Sequence, residues 1–427
     1  MTGEFMDKLV IEGGRRLEGV VEISGAKNAS LPILAATILS KETSVVKNVP
    51  QVADVFTMVK ILKLMGAKVQ HEGNTVTVDP SCVSAPLLSY KLVSTMRGSI
   101  CFLGPLLARF GQAQVSMPGG CVIGPRPIDL HLKGIRALGA DVALEHGYIK
   151  AKLKKLKGAR VYLGGAFGSS VLGTANTLMA AVMARGRTVI DSAACEPEVV
   201  DLGNFLKKMG AKIEGLGSPS VEIEGVKKLG SANYSLIPDR IEAGTYMIAA
   251  AITKGDITIR NMKLEMLGAM LDKLREAGVV ITEKNGHVRV RRERVLRPVS
   301  VTTLPYPGFP TDLQAQMMAL MCVVPGISVI TEKIYPERFM HVSELARMGA
   351  SIILEGPSAI VSGKKILSGA PVMASDLRAS AALVLAGLVA EGATEISRLY
   401  HLERGYENLM VKLRSLGAKI HREKDLR

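Results

Sequence analysis

Apolar positions recur every three to four residues in stretches such as Val55–Met65 and Glu344–Met348, then alternate singly over short segments, the periods of helix and strand. The amphipathic stretches end in one signature: Leu-Met-Gly66-Ala-Lys, Leu-Gly139-Ala-Asp, Lys-Met-Gly210-Ala-Lys, Glu-Ala-Gly278-Val, Arg-Met-Gly349-Ala-Ser and Ser-Leu-Gly417-Ala-Lys. Successive glycines lie 73, 71, 68, 71 and 68 residues apart. Each fits the residue just past a helix C-terminus, where the left-handed conformation is needed. In the first five copies a hairpin follows, clearest at Val279–Thr282 and Val288–Val290 around Asn285-Gly286. A second, Ala-rich helix precedes a β-branched strand, as in Leu31–Leu39 before Thr43–Val46, Thr177–Ala184 before Thr188–Ile190, Thr245–Ile252 before Ile257–Ile259, and Ala379–Val389 before Thr394–Ile396.

The unit therefore reads strand, helix, strand, helix, strand, strand over about 70 residues, and the chain holds six of them. One such unit cannot bury its own apolar faces, so copies must pack together. The predicted fold class is α/β: six βαβαββ repeats in two similar domains of three, with a small-molecule site in the interdomain cleft. The last copy lacks its hairpin, so the N-terminal strands Leu9–Ile11 and Val20–Ile23 are expected to complete it. The chain then crosses between domains twice, giving residues 1–26 with 238–427 as one domain and 27–237 as the other.

Composition narrows the function. Of 427 residues, 48% are hydrophobic and 22% charged, a globular balance that excludes disorder. Aromatic residues are 4% with no Trp, which argues against stacking platforms for single-stranded nucleic acid. No apolar run reaches a membrane span, and Pro and Gly interrupt Met317–Ile330. No secretory leader opens the chain; Met1–Phe5 reads as an added remnant before a native start at Met6, and a soluble, cytoplasmic protein is expected. Five widely spaced cysteines without a C-x-x-C pair, and seven unclustered histidines, predict neither a disulfide framework nor a structural metal. The net charge of +15 favours anionic partners, although the basic residues form no block.

Candidate chemistry collects ahead of the helices. Lys27-Asn28 stands at a helix N-terminus, where the dipole favours anions; the lysine makes sense if an anion binds there, with an exposed lysine as the plain alternative. Asp239-Arg240, Asp312 after Phe309-Pro310, and Asp376-Leu-Arg378 hold the same place in other repeats, with an N-cap as the plain alternative for Asp312 and Asp376. In the Gly- and Pro-rich loop Met117–His131, Cys121 lies five residues before Arg126, where positive charge favours thiolate. An inert, buried cysteine is the plain alternative, against which the adjacent Gly119-Gly120 argues. His131 is either a general base or a structural histidine beside Asp129. Glu337-Arg338-Phe-Met-His341 and His401-Leu-Glu403-Arg404 each sit between a strand and a helix. Arginine's fork suits carboxylate and phosphate, so Arg404, Arg126 and Lys27 could together hold a small multiply charged anion. The alternative for each is a surface ion pair, with Glu337 or Glu403 at hand.

These segments resemble the bacterial UDP-N-acetylglucosamine 1-carboxyvinyltransferase family of enolpyruvyl transferases. The matching residues are Gly25-Ala-Lys27-Asn28-Ala, Pro118-Gly-Gly-Cys121-x-Ile-Gly-x-Arg126-Pro-x-Asp129-Leu-His131, Phe309-Pro-Thr-Asp312-x-Gln-Ala-Gln, Arg338-Phe-Met-His341, Asp376-Leu-Arg378-Ala-Ser and His401-Leu-Glu-Arg404-Gly-Tyr406. The likeness runs from Met6 to about Lys424, and the family's inside-out α/β barrel of two three-repeat domains agrees with the repeat count. It implies transfer of the enolpyruvyl group of phosphoenolpyruvate to the 3-hydroxyl of UDP-N-acetylglucosamine. Phosphate is released by addition and elimination, without metal or organic cofactor, in the first committed step of peptidoglycan synthesis. In the family pattern Cys121 is the acid, and the covalent target of fosfomycin; Asp312 is the candidate base. Lys27, Arg126 and Arg404 hold phosphoenolpyruvate, with Asn28, Arg97, Arg338, Asp376 and Arg378 in the substrate-binding set. Arg126, Pro127, Ile128, Asp129 and Leu130 line the uridine site, and Ile334 meets the nucleotide sugar through its backbone.

One segment departs from the family. Where many members carry a lysine before Ser-Val-Gly-Ala-Thr, this chain reads Gly164-Gly-Ala-Phe-Gly-Ser169-Ser170-Val171-Leu172-Gly173-Thr174, about three residues longer and without the lysine. Ser169, Ser170 and the backbone through Gly173 are then expected to bind the diphosphate. Two alternatives are a 3-phosphoshikimate enolpyruvyl transferase, disfavoured by Cys121 and by the missing arginine after Lys27-Asn28-Ala-Ser, and a non-catalytic or RNA-binding paralogue. The expected protein is a monomer that binds neither nucleic acid nor membrane.

Overall fold

The structure, a computed structural model, describes residues 7–84, 87–88, 96–117, 128–153 and 155–424. Its described residues contain six four-stranded sheets with one shared plan: a parallel pair at one edge and two antiparallel pairings beyond it. The sheet of Asn233–Ser235, Ser44–Lys47, Thr75–Asp79 and Lys68–Glu72 shows the plan, the first pair parallel and the next two antiparallel. All six repeat glycines have positive φ, from +86° at Gly349 to +104° at Gly210, as helix ends of this kind require. The hairpin Val280–Lys284 to His287–Arg291 turns on Asn285 (φ 54°) and Gly286 (φ 72°), the two left-handed positions of a type I′ turn.

The chain forms two compact units. One takes the chain up to Ser24 and from Pro238 onward; the other takes the described residues between Gly25 and Ile237. The N-terminal strands divide differently from the expectation. Asp7–Glu12 does complete the last repeat, pairing antiparallel with both Ala393–Ser397 and Lys419–Lys424. Glu18–Glu22 instead joins the next sheet, parallel to Asp256–Arg260. The plan explains the division: the final repeat lacks one antiparallel strand, and the repeat built on Arg240–Ile252 lacks its parallel first strand.

In both units the helices with small residues lie inside and the sheets outside. All thirteen residues of helix Arg240–Ile252 and all nine of Gln314–Cys322 are buried, and these two pack with helix Leu377–Gly387. Helices Leu103–Phe110 and Val171–Ala181 make the matching contact in the other unit. Alanine and glycine let such helices approach closely while apolar area leaves water on every side. Polar groups in these helices must then be satisfied locally. Asn176 accepts from Gly104 N–H at 2.9 Å, donates to the Ile100 carbonyl at 3.0 Å and lies 2.9 Å from His131 Nδ1. His131 is thus a buried structural histidine, tied to Asn176.

Ile11 is fully buried in the strand Asp7–Glu12 that closes the last repeat. Ile11→Ala is expected to lower unfolding free energy by about 2–5 kcal/mol, read from urea midpoints. A loss below about 1 kcal/mol would mean that the N-terminal strand contributes little to closing the sheet.

Candidate active site

Polar side chains gather where the three inner helices of the second-half unit begin. Asp312 lies in the 3-10 turn Thr311–Leu313 that leads into helix Gln314–Cys322, but its side chain caps neither element. It is held instead by two arginines: Oδ1 accepts from Arg338 Nη1 at 2.9 Å and Oδ2 from Arg378 Nη2 at 3.2 Å. The plain N-cap alternative is therefore wrong for Asp312 and right for Asp376. The Asp376 carboxylate accepts from the N–H groups of Arg378 (2.8 Å) and Ala379 (3.2 Å), and Asp239 caps helix Arg240–Ile252 in the same manner. Capping fixes where the next residues point, so Asp376 orients Arg378 as well as starting its helix.

Both arginines are buried almost completely. For Arg338, burial opposes the charge, and Asp312, Asp376 and Glu332 more than offset it, so its pKa rises. For Arg378 the same contest is decided by Asp312, with Tyr406 and Asp239 adding, and the shift is again upward. The Arg378 guanidinium lies 5.3 Å from the ring centre of Tyr406, a cation–π contact. The Tyr406 hydroxyl is 2.9 Å from Thr245 Oγ1 and accepts from Gln316 Nε2 at 3.1 Å, and Gln316 also donates to the Asp312 carbonyl at 2.9 Å. A polar net from three inner helices thus fixes the Asp312 turn. Arg378 Nη1 is buried with no hydrogen-bond partner, the kind of unsatisfied donor that a ligand anion would satisfy.

Arg404 ends the short helix Tyr400–Glu403, and its charge reaches His401: burial pushes the His401 pKa down, Arg404 adds to that, and Asp376 opposes it. Glu403 pairs with Arg422 at 2.8 Å, and the buried partner of Arg338 is Asp312, not Glu337. Ile334 commits its N–H to Glu332 at 2.8 Å, which leaves its carbonyl as the backbone group for a ligand.

In the other unit Lys27 opens helix Lys27–Ala36, whose first turn has no acidic residue, with Asn28 beside it. Its Nζ meets Asp54 Oδ2 at 2.7 Å, both side chains being at most 11% exposed. Part of the helix-end puzzle is thereby solved by a carboxylate from the next helix, Ala53–Leu64, which sequence reasoning missed. The Gly164–Gly165 and Gly168–Ser169 segments pair as a tiny hairpin around Ala166-Phe167. Ser170 is the N-cap of helix Val171–Ala181, its Oγ accepting from Gly173 N–H at 3.1 Å, which uses one lone pair and leaves the hydroxyl proton for an anionic acceptor. Leu130, in the first turn of helix Asp129–Ala137, borders this segment: a Cβ built on Gly165 would lie 3.1 Å from it and one on Gly173 3.5 Å. Ile128 is buried and Asp129 exposed. The structure thus brings Leu130 against Gly165 and Gly173. Cys121, Arg126, Pro127 and the Arg97 side chain lie outside the described residues. The thiols of Cys101 and Cys322 are pushed up to about 12 by burial, and that of Cys195 is also raised, so these three are poor thiolates. Among the described residues no cluster could hold a metal ion, and no helix is long and apolar enough to cross a membrane.

This fold and cluster belong to a known class. Residues 11–413 match the profile of the family described as EPSP synthase (3-phosphoshikimate 1-carboxyvinyltransferase). The structure superimposes on the enolpyruvyl transferase NikO from Streptomyces tendae with a TM-score of 0.90 at 26% identity, covering 98% of this chain and 99% of that one. An EPSP synthase from Acinetobacter baumannii gives 0.75 at 17% identity, which speaks to fold alone. Within the class, the UDP-N-acetylglucosamine 1-carboxyvinyltransferase of Geotalea uraniireducens is 56% identical over 98% of this chain and 99% of its own length, and that of Myxococcus xanthus 54% over 98% and 100%. The chain belongs to the enolpyruvyl transferases and, among them, to the UDP-N-acetylglucosamine 1-carboxyvinyltransferase family.

His341, next to the Arg338 cluster, is 1% exposed, and burial pushes its pKa down to about 4, with Asp376 opposing and Arg338 adding. The unfolded side chain titrates near 6.5. Between these values the unfolded state binds more protons, so stability is full above about pH 6.5 and falls as pH drops toward 4. His341→Gln is expected to reduce the stability difference between pH 7 and pH 4.5 by about 2–3 kcal/mol, read from urea midpoints. An unchanged difference would show that the imidazole is not buried in its neutral form.

Proposed function

We propose that the protein transfers the enolpyruvyl group of phosphoenolpyruvate to the 3-hydroxyl of UDP-N-acetylglucosamine, releasing phosphate, as the first committed step of peptidoglycan synthesis. The observation that carries this reading is 54–56% identity, over nearly whole chains, to relatives bearing that enzyme name. Such a transfer needs a base at the sugar hydroxyl, an acid at the methylene carbon, and cations for phosphate and carboxylate. Asp312 takes the base role. Its two oxygens accept guanidinium N–H groups from Arg338 and Arg378, and its side chain is 27% exposed, so a hydroxyl can reach it.

In the addition step the sugar oxygen bonds to C2 of phosphoenolpyruvate, its proton passes to Asp312, and Cys121 protonates C3 to a methyl group. The Cys121 thiolate then takes a proton back from C3 of the tetrahedral ketal phosphate as the C2–O bond to phosphate breaks with its electron pair. This restores the double bond on the transferred group, and the proton held by Asp312 leaves with the phosphate. Lys27, Arg126 and Arg404 hold the phosphate and carboxylate of the donor, with Asn28, Arg97 and Arg378 beside them; the unsatisfied Nη1 of Arg378 supports its place in the set. Arg126 to Leu130 receive the uridine. Ser169, Ser170 and the N–H groups at the start of helix Val171–Ala181 receive the diphosphate, an anion at a helix N-terminus. Because these groups divide between the two units, the reading requires both units to serve one substrate pair.

The protein is further proposed to act in the cytoplasm as a monomer, without metal, organic cofactor, nucleic acid or membrane, and to be alkylated at Cys121 by fosfomycin. The 3-phosphoshikimate reaction and a non-catalytic role remain as outcomes of one assay. Phosphate release from phosphoenolpyruvate should require UDP-N-acetylglucosamine; release that depends on shikimate 3-phosphate instead, or no release, overturns the reading.

Two variant experiments check the roles. If Cys121 supplies a proton, an acidic hydrogen matters more than sulfur. A carboxylic acid among anions can be protonated near neutral pH, whereas a serine hydroxyl is far too weak an acid. Cys121→Asp should keep substantial turnover and resist fosfomycin; Cys121→Ser should lose most activity. A fully active Cys121→Ser variant, or wild type that gains no mass with the drug, removes Cys121 from the role. Arg404→Lys keeps the charge and loses the fork, a hydrogen bond of about 1.5–3 kcal/mol. It should raise KM or lower kcat for phosphoenolpyruvate more than it affects nucleotide-sugar binding; unchanged kinetics would make Arg404 a bystander.

A further inference from the structure

Glu332 follows strand Gly326–Thr331, is fully buried, and appears in none of the motifs that point to the reaction. Four hydrogen bonds converge on its two oxygens. Oε1 receives Thr303 Oγ1 at 2.6 Å and the N–H groups of Ile334 and Tyr335 at 2.8 and 3.0 Å. Oε2 receives Thr311 Oγ1 at 2.8 Å. The hydroxyl directions are fixed by what else they touch. Thr303 Oγ1 accepts from Lys333 N–H at 2.9 Å, and Thr311 Oγ1 accepts from Arg338 Nη1 at 3.0 Å, so each turns its proton toward Glu332. All four partners are donors, as an ionised carboxylate requires.

An unbroken chain therefore runs from Glu332 through the Thr311 hydroxyl and the Arg338 guanidinium to Asp312. Arg338 stands between two carboxylates, one touched directly and one through a single hydroxyl. Arg378 touches Asp312 from the other side, with Tyr406 against Arg378, while Asp376 acts on Arg338 and Arg338 in turn acts on His341. Through Oε1 the same carboxylate shapes the turn that carries Ile334.

We propose that Glu332 is a positioning residue for the transfer: through Thr311 it draws on the charge of Arg338 and so sets the strength of Asp312 as a proton acceptor, while its other oxygen holds the Ile334 turn. The proposal rests on the reading of Asp312 as base. Without the Glu332 charge, two guanidinium groups act on Asp312 with less opposition. Asp312 then stays ionised to lower pH and accepts a proton less readily.

The test is steady-state phosphate release between pH 5 and pH 9 for the wild type, Glu332→Gln, Glu332→Ala, Thr311→Val and Thr311→Ser, with urea midpoints to establish that each is folded. Glutamine keeps an acceptor for the Ile334 turn and removes the charge. It should hold KM for UDP-N-acetylglucosamine within about twofold, lower kcat about tenfold, and move the acidic limb of kcat/KM down by about one pH unit. Glu332→Ala should raise that KM as well. Thr311→Val, which breaks the link, should behave like Glu332→Gln, and Thr311→Ser should restore wild-type behaviour. A Glu332→Gln enzyme with wild-type kcat and acidic limb overturns the proposal, as does equality of the two Thr311 variants; the latter pair decides if Glu332→Gln does not fold. A wild type that releases no phosphate overturns the proposed function instead.

Discussion

Burial of whole helices, rather than of helix faces, is the constraint from which the rest follows. A βαβαββ unit has one helix with no polar side to show to water, such as Arg240–Ile252 with all thirteen residues buried. It can be stable only when other copies surround it and the sheets take the outer surface. Close approach selects alanine and glycine along the shaft, and the shaft then has no room for chemistry. Reactive groups are displaced to the helix starts, where unsatisfied N–H groups and a change of chain direction accept polar side chains. Asp312, Asp376, Arg378 and Lys27 all occupy that layer.

The same constraint explains what was legible in the sequence. The glycine after each amphipathic helix is a backbone requirement repeated six times, so the repeat could be counted and each φ is positive. The missing hairpin of the last copy called for an N-terminal strand, and Asp7–Glu12 supplies it. Pairing partners were less readable. Val20–Ile23 carries the same alternation wherever it pairs, and only the open edge beside Asp256–Arg260 decides its sheet.

At the site, a short acidic residue before a helix reads as a cap, and this is true of Asp239 and Asp376. Asp312 carries the same local signal and does something else, because arginines 26 and 66 residues away compete for its carboxylate. Asp54 and Glu332 gave no signal at all. One looks like an ordinary first-turn acid and the other like a strand end, and their partners Lys27, Thr303 and Thr311 are remote in sequence. Polar groups whose meaning comes from tertiary partners are the ones that a single sequence hides. The family resemblance reached Asp312, Arg378 and Arg404 through motifs, but motifs record what lies near the reaction and not what holds it.

The arrangement around Asp312 shows why the supporting layer matters. Two buried arginines need negative charge nearby, since burial works against each of them. A carboxylate that neutralises them fully would be a poor proton acceptor, because its charge would be spent on the guanidinium groups. The cluster distributes the neutralisation instead. Asp376 and Glu332 act on Arg338 without touching it directly, Tyr406 offers its ring to Arg378, and Asp312 accepts a hydrogen bond from each arginine. Stability asks for charge balance summed over the cluster, while proton transfer asks for basicity at a single oxygen. Placing part of the balancing charge one hydroxyl or one capping carboxylate away satisfies the first demand without drawing all of it from the Asp312 carboxylate.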